Sequence, residues 1–217
     1  MSKLKIAAAL LLLSAGCLST VDEPSTRSSV PTEAQKVWWI SSGNGGGTGV
    51  PVLSVLMPNG GWKVYFLTAR HVAENLDPNA LVASQESGWM ILGGKIEGLH
   101  PTEDAAVMSF ESRFSVPTIK IRTSPVEFGE QLFGAGYGAG QGQLWLTQGL
   151  ACSPSRSTTP VCPGDSGGAV LDQNGELVGL LQSFEILGVG GREFLVMHHC
   201  DFVPLPKIRE WVLKITG

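Results

Sequence analysis

The chain has 217 residues, of which 43% are hydrophobic and 16% are charged, and its formal net charge is −4. This length and hydrophobic content suffice for one well-cored domain or for two small packed subdomains. Because phosphate neutralisation dominates nucleic-acid affinity, an acidic chain without a basic run argues against nucleic acid as a partner. The 28 glycines and 13 prolines favour many short strands joined by turns.

The amino terminus has the pattern of an export signal. A positive region with Lys3 and Lys5 precedes an apolar run that is too short to span a bilayer comfortably. That run ends in the motif LSAGC at residues 13–17, which resembles the bacterial lipobox, where the signal is removed and the cysteine is acylated. We therefore predict a lipoprotein-type signal peptide over residues 1–16 and a lipid anchor at Cys17, which would attach an exported protein to an envelope membrane.

Two alternatives to lipidation stay open at this stage. An ordinary secretory signal cleaved near Ala15 or Gly16 would leave a secreted protein, and a short uncleaved anchor is the other alternative. Ser14 stands where the lipobox more often has leucine. Leu18 follows the cysteine where an aspartate would mark retention, so resemblance to Gram-negative lipoproteins favours sorting to the outer membrane.

Residues 17–36 are polar, rich in Ser, Thr and Pro, and without apolar periodicity. Such a composition predicts a flexible tether between an anchor and a folded domain. We expect the folded domain to begin at Val37, where the sequence becomes typical of strands.

The strands that we predict are β-branched, aromatic or apolar runs bounded by turn residues. They cover residues 37–40, 51–57, 62–68, 81–83, 89–92, 105–110, 118–121, 131–135, 144–147, 169–171, 176–181 and 194–197. The glycine-rich residues 43–47 are interpreted as a turn, because neither a Lys–Ser/Thr pair nor a helix follows them.

The end of the chain alone has a helical pattern. After Pro204 and Pro206, apolar residues recur at i, i+3/i+4 spacing: Leu205, Ile208, Trp211 or Val212, and Ile215. The sequence therefore predicts an all-β fold, with strand intervals typical of β-barrels, that ends in one amphipathic helix.

The candidate nucleophile lies in CPGDSGG, residues 162–168, which places Ser166 after an acid and between glycines. Gly164 lets the backbone kink, so that the amides of Gly164 and Ser166 can form an oxyanion hole beside the hydroxyl. Asp165 is expected to fix this loop through a positive or N–H partner. The alternative is a glycine-rich hairpin turn in which the serine has no catalytic role.

A nucleophilic serine needs a base and a carboxylate that orients the base. His71 ends an apolar strand and can project into a cleft, whereas the other histidines fit surface or structural roles: His100, His198 and His199. Asp104 stands at the mouth of the strand that begins at Ala105, where it can accept the second imidazole N–H. Glu103 is its local competitor.

The order His71, Asp104, Ser166 is that of the chymotrypsin-type triad. TARHV at 68–72, DAAV at 104–107 and GDSGG at 164–168 resemble segments of the trypsin-like serine peptidases. GTGV at 47–50, GAGY at 134–137 and DQNGELVG at 172–179 are similar to the bacterial HtrA type, here without a following PDZ-like domain. Arg70 departs from the family pattern, in which a small residue usually precedes the histidine.

The resemblance covers about residues 40–215 and implies a chymotrypsin-like fold of two packed six-stranded antiparallel β-barrels with a C-terminal α-helix. One peptidase domain over residues 37–217 would then consist of subdomains at roughly 37–122 and 123–217. It implies a serine endopeptidase that acts on a protein or peptide, without cofactor or metal. No Ile-Val-Gly-Gly-like amino terminus is present, so activation by a new amino terminus is not expected.

Two other functions are weighed against this one. A catalytically inactive trypsin-like fold could serve as a binding module of the cell envelope. An esterase on another fold is disfavoured, because the G-x-S-x-G elbow is absent and the triad order differs.

Substrate selection follows from the resemblance at two places. Pro160 occupies the position, six residues before the nucleophile, that forms the base of the specificity pocket in trypsin, so we expect small or apolar residues rather than Lys or Arg there. Gln182, Ser183 and Phe184 occupy the segment that would pair with the substrate backbone. The physiological substrate and the oligomeric state have no signature in the sequence.

The cysteines predict a disulfide in an oxidising compartment. Cys152 and Cys162 are the preferred pair, because a hairpin over residues 153–161 would bring them face to face, and Cys162 with Cys200 is the rival pair. No C-x-x-C motif is present, and the cluster at residues 198–200 lacks spaced partners, so no metal site is expected.

Overall fold

The computed structural model describes residues 30–43, 45–138, 143–189 and 192–217, and for residues 183–189 and 192–199 it describes the backbone alone. These residues form thirteen strands, two α-helices and one 3-10 helix. The predicted signal peptide, Cys17 and the first part of the tether lie outside the described residues.

The first half of the fold is one curled antiparallel sheet of seven strands. These are β1 (Trp38–Ser42), β2 (Gly45–Leu56), β3 (Trp62–Thr68), β4 (Val82–Ser84), β5 (Met90–Leu92), β6 (Lys95–Leu99) and β7 (Ala106–Ser112). Their order in the sheet is β5-β4-β1-β2-β3-β7-β6. Side chains alternate between the two faces of a strand, and the inner face carries Trp38, Phe66 and Phe110, whose rings pack edge to face at 5.9 and 5.4 Å.

The second half is a closed six-stranded barrel. Its strands are β8 (Gln131–Gly136), β9 (Trp145–Ser153), β10 (Arg156–Ser157), β11 (Ala169–Leu171), β12 (Leu177–Val189) and β13 (Arg192–Pro204). They close in the order β10-β13-β12-β11-β8-β9, with β9 paired to β10.

Two α-helices accompany these sheets. The short α1 (Arg70–Glu74) follows β3 directly, and α2 (Leu205–Thr216) follows β13, with Pro204 at its N-cap. Leu205, Ile208 and Val212 bury one face of α2, as its apolar spacing predicts. The helix also reaches back to the first sheet, where a Cβ on Gly98 would lie 2.7 Å from Ile215 Cδ1.

The mostly-β fold, the closed barrel and the terminal helix confirm the predicted fold class. The first half is a curled sheet of seven strands, which is consistent with the chymotrypsin-like double-barrel fold, although the sheet is not closed into the expected six-stranded barrel. The strand β6 was not predicted, because Lys95 and Glu97 interrupt its apolar character. Residues 118–121 do not form the expected strand, and Ile121 makes a single parallel bridge to Leu177.

Regular secondary structure is already present before Val37. Thr32–Lys36 forms a 3-10 helix, in which Ala34 is fully buried in the core and donates its amide to the carbonyl of Pro31 at 3.1 Å. Lys36 Nζ donates to the carbonyl of Thr118 at 3.2 Å. The tether predicted up to residue 36 is therefore structured in its last turn.

The predicted disulfides are wrong in this structure, where Cys152, Cys162 and Cys200 are free thiols. The hairpin turns at Pro154 and Ser155, so that Cys152 faces β10 and Cys162 lies further along the chain. Cys200 is buried, and its Sγ lies 3.1 Å from Ser157 Oγ.

Neither helix in the described ranges has the length and apolar character needed to cross a membrane.

Candidate active site

The predicted functional residues from both halves of the fold line one cavity of about 550 Å³. The first half supplies His71 and Asp104, and the second supplies Gly164, Ser166 and Gln182. The remaining lining comes from β2, from α1 and the two residues after it, and from the loop that carries Ser166: Gly46, Val72, Asn75, Leu76 and Pro163. The two sheets thus meet at the site.

His71 and Asp104 are joined by two hydrogen bonds. The His71 amide donates to Asp104 Oδ1 at 2.9 Å, and Nδ1 of the ring lies 2.7 Å from Asp104 Oδ2. With Nδ1–H donating to the carboxylate, Nε2 of the neutral ring is left as the proton acceptor. The end of β3 and the start of α1 place His71, and the β6–β7 connection places Asp104.

The interaction between His71 and Asp104 raises the pKa of the histidine and lowers the pKa of the carboxyl, so it favours the charged form of each residue. The hydrogen bond that His71 donates to Asp104 raises the pKa of His71, against the opposing effect of partial burial. Burial favours the neutral form of Asp104, but the hydrogen bonds from His71 outweigh it and hold the pKa of that carboxyl below its ordinary value. A carboxylate that stays ionised can orient the imidazole and stabilise its protonated form.

Ser166 has no hydrogen bond to His71 in the described part of the chain. Its hydroxyl instead donates to the carbonyl of Gln182 at 3.3 Å. Rotation about χ1 exchanges one staggered orientation of a serine hydroxyl for another, so the hydroxyl must turn before His71 can take its proton.

The loop that carries Ser166 has the backbone that its glycines permit. Gly164 and Gly167 have φ values of +103° and +82°, where a side chain would be strained. A Cβ on Gly164 would also lie 2.6 Å from the carbonyl oxygen of Tyr137. Neither the Gly164 nor the Ser166 amide has an acceptor among the described residues, so both are free to receive a ligand oxygen.

Thr48 fixes this loop from the opposite half of the molecule. It is fully buried, its amide donates to the carbonyl of Ser166 at 2.9 Å, and its hydroxyl donates to the carbonyl of Gly164 at 2.9 Å. The Thr48 hydroxyl also accepts from the amide of Tyr137 at 2.9 Å. Thr48 was not predicted as a functional residue, although it lies in the GTGV segment that the sequence singles out.

Asp165 was expected to pair with a positive or N–H group that the sequence did not identify, and the structure shows that this group is the amide of Cys162. Its Oδ2 accepts the amide of Cys162 at 2.8 Å, while Oδ1 has no hydrogen-bond partner among the described residues. The side chain packs on Gly136 and Gly138, where added Cβ atoms would lie 2.5 and 2.9 Å from Oδ1. Burial raises the pKa of Asp165 to about 6, although the amides of Cys162 and Gly138 favour the charged form.

The predicted substrate-binding residues are only partly brought to the site. Gln182 lines the cavity, whereas Pro160 is partly buried and is not part of the lining. Ser183 and Phe184 pair through their backbones with Asp201 and Cys200 of β13, and their side chains lie outside the description. The described residues contain no cluster of His, Cys, Asp and Glu side chains that could hold a metal ion.

The chain was compared with known proteins. A search of curated proteins found no significant match. A family model described as a trypsin-like peptidase domain matches residues 47–180, a segment that includes His71, Asp104 and Ser166. Because this segment makes up more than half of the chain, the protein belongs to the family of trypsin-like peptidase domains.

Proposed function

We propose that this peptidase is an active serine endopeptidase with Ser166 as nucleophile, His71 as general base and Asp104 as the residue that orients His71. The observation that carries the proposal is the double hydrogen bond between His71 and Asp104 in the cavity that also holds Ser166. A ring nitrogen fixed in this way has the tautomer that serine activation requires.

The reaction is an acyl transfer. Ser166 Oγ bonds to the scissile carbonyl carbon as its proton passes to His71 Nε2, and the carbonyl oxygen becomes an oxyanion. His71 then gives the proton to the leaving amine as the C–N bond breaks. Water, activated by His71, hydrolyses the ester and regenerates the serine.

The amides of Gly164 and Ser166 are the proposed donors to the oxyanion. Their carbonyls are both bound by Thr48, and the amides themselves have no acceptor in the described residues. Fixed donors of this kind stabilise the transition state without reorganisation, and removal of one costs about 10²–10³ in rate.

Substrate binding also explains how the serine is released. Gln182, in the segment proposed to pair with the substrate backbone, holds the Ser166 hydroxyl through its carbonyl. A substrate amide that donates to this carbonyl would compete with the hydroxyl and free it to turn to His71. Pro160 supports a preference for small or apolar residues over Lys or Arg at the cleavage position.

A second candidate function is an inactive binding module of the envelope. The bond of Ser166 to Gln182 rather than to His71 is the observation in its favour. A serine-directed fluorophosphonate separates the two, since an active peptidase is labelled at Ser166 and the Ser166→Ala and His71→Ala variants are not. Absence of label on the folded wild-type protein would contradict the peptidase proposal.

We further propose that the protein is exported and anchored through an acylated Cys17, with secretion after cleavage near Ala15 or Gly16 as the alternative. The LSAGC motif supports this proposal. The mass of the mature amino-terminal peptide tests it: a diacylglyceryl cysteine is expected, and an unmodified Cys17 or cleavage elsewhere would contradict the anchor.

A further inference from the structure

The loop that carries Asp104 is held by a side chain within it. His100–Asp104 connects β6 to β7, and Nδ1 of His100 accepts the amides of Thr102 at 3.3 Å and Glu103 at 3.0 Å. In this geometry Nδ1 is the acceptor that satisfies both loop amides. His100 therefore shapes the turn immediately before the carboxylate.

A second residue ties this loop to the helix that carries His71. Arg70 Nη1 donates to the carbonyl of His100 at 3.0 Å and lies 3.4 Å from that of Pro101. Nε of the same guanidinium donates to Glu74 Oε1 at 2.7 Å. Arg70 is thus held on α1 by Glu74 and is hydrogen-bonded to the loop that carries Asp104. The trypsin-like peptidases usually have a small residue at the position of Arg70.

The outer side of the loop packs against α2. The His100 ring meets Trp211 edge to face at 4.9 Å, and Lys207 Nζ lies 3.9 Å from Glu103 Oε2. The charged groups that face the loop are therefore Arg70 and Glu74 from α1 and Lys207 from α2, with Glu103 in the loop itself.

We propose that Arg70 and His100 are positioning residues that hold Asp104 in the place where it can orient His71. The proposal rests on the function proposed above, because it assigns them an effect on the same reaction. Neither residue lines the cavity, so each acts through Asp104 rather than on the substrate. His100 fixes the loop from within, through the amides of Thr102 and Glu103, and Arg70 fixes it from α1. Together these contacts determine where Asp104 lies relative to His71.

Matched substitutions separate this role from general stability. In His100→Asn the side-chain amide falls near the place of Nδ1 and keeps an acceptor for the two loop amides, whereas His100→Gln moves the amide one bond further out. Arg70→Met removes the donors to the loop but keeps the apolar stem. Glu74→Gln removes the ion pair of Arg70 and leaves the carbonyls of the loop within its reach.

The measurements are the pH profile of kcat/KM, the separate values of kcat and KM, and the low-field proton resonance of His71 Nδ1–H. We expect His100→Gln and Arg70→Met to lower kcat by roughly 10²-fold, the cost of a small misplacement of catalytic groups, with KM nearly unchanged. Because the hydrogen bond that His71 donates to Asp104 raises the pKa of His71, a weaker bond in these variants should move the acid limb of the profile to lower pH. His100→Asn should resemble the wild type. Glu74→Gln should keep the kcat of the wild type, with only a small shift of the acid limb to lower pH, because the charge of Glu74 also contributes to the raised pKa of His71.

Variants with a wild-type acid limb and an unchanged His71 resonance would overturn the proposal, whatever their stability. It would also be overturned if Glu74→Gln lowered kcat as much as Arg70→Met does, or if His100→Asn behaved like His100→Gln. Circular dichroism establishes that each variant is folded. Failure of the peptidase function itself has a different outcome, since the wild type would then cleave no peptide, while the His71 resonance would still report the position of Asp104.

Discussion

Replacement of Asp165 by asparagine tests the electrostatics of the loop that carries the nucleophile. Asp165 is 2% exposed, and the Cys162 amide donates to its carboxylate, with no cationic side chain paired to it among the described residues. Burial raises its pKa from an ordinary value near 3.8 to about 6. Since a pKa difference of one corresponds to about 1.4 kcal/mol, ionisation of this carboxyl costs the folded state about 3 kcal/mol.

The sign follows from proton binding. Between pH 3.8 and about 6 the folded protein holds the Asp165 proton more firmly than the unfolded chain does. The cost of the charge is therefore fully present above about pH 6, and it disappears as the pH falls towards 3.8. Asparagine keeps a carbonyl oxygen for the Cys162 amide but carries no charge at any pH.

Urea unfolding at pH 7.5 and pH 4 measures this term, in a Ser166→Ala background that prevents self-digestion. The stability of Asp165→Asn relative to the parent, measured as the difference in their free energies of unfolding, should be greater at pH 7.5 than at pH 4 by about 2.5 kcal/mol, because about 0.5 kcal/mol of the cost is still present at pH 4. Comparison of the two proteins cancels the groups that they share. Equal pH dependence would refute the argument, and a difference of opposite sign would show that Asp165 is paired with a cation.

Three further predictions follow from the site. Asp104→Asn should lower kcat by about 10⁴ and move the acid limb of kcat/KM to lower pH, because it removes the group that raises the pKa of His71; an unchanged limb in the pH profile would contradict this. Thr48→Val should lower kcat by up to about 10² because the carbonyl of Gly164 loses its donor, with activity restored in Thr48→Ser; equal activity of both variants would exclude this role of the hydroxyl. In a Cys17→Ser chain, a thiol assay in denaturant without reductant should count three thiols, and a disulfide would leave one.

The residues around Ser166 could be predicted because their signatures are local. A glycine-flanked serine, a histidine at a strand end and a carboxylate at the start of a strand are each recognisable from a few neighbouring residues, and the structure brings all three to one cavity. The hairpin between β2 and β3 was likewise predictable, since Asn59 and Gly60 separate two strand-like runs.

The support of the site could not be predicted in this way. Thr48 is hydrogen-bonded to Gly164 and Tyr137, which are 116 and 89 positions away in the sequence. A local sequence pattern does not predict contacts over such separations. Arg70 looked like a departure from the family pattern until its contacts with His100 were visible. Cysteine spacing likewise carries no information about where the hairpin between β9 and β10 turns.

Cleavage of a peptide library by the wild type and by Ser166→Ala, with both proteins shown to be folded, tests the central claim most directly. The account predicts that the wild type cleaves peptide bonds and that Ser166→Ala has lost essentially all of this activity. Undiminished cleavage by the folded Ser166→Ala variant, or no cleavage by the wild type, would contradict it.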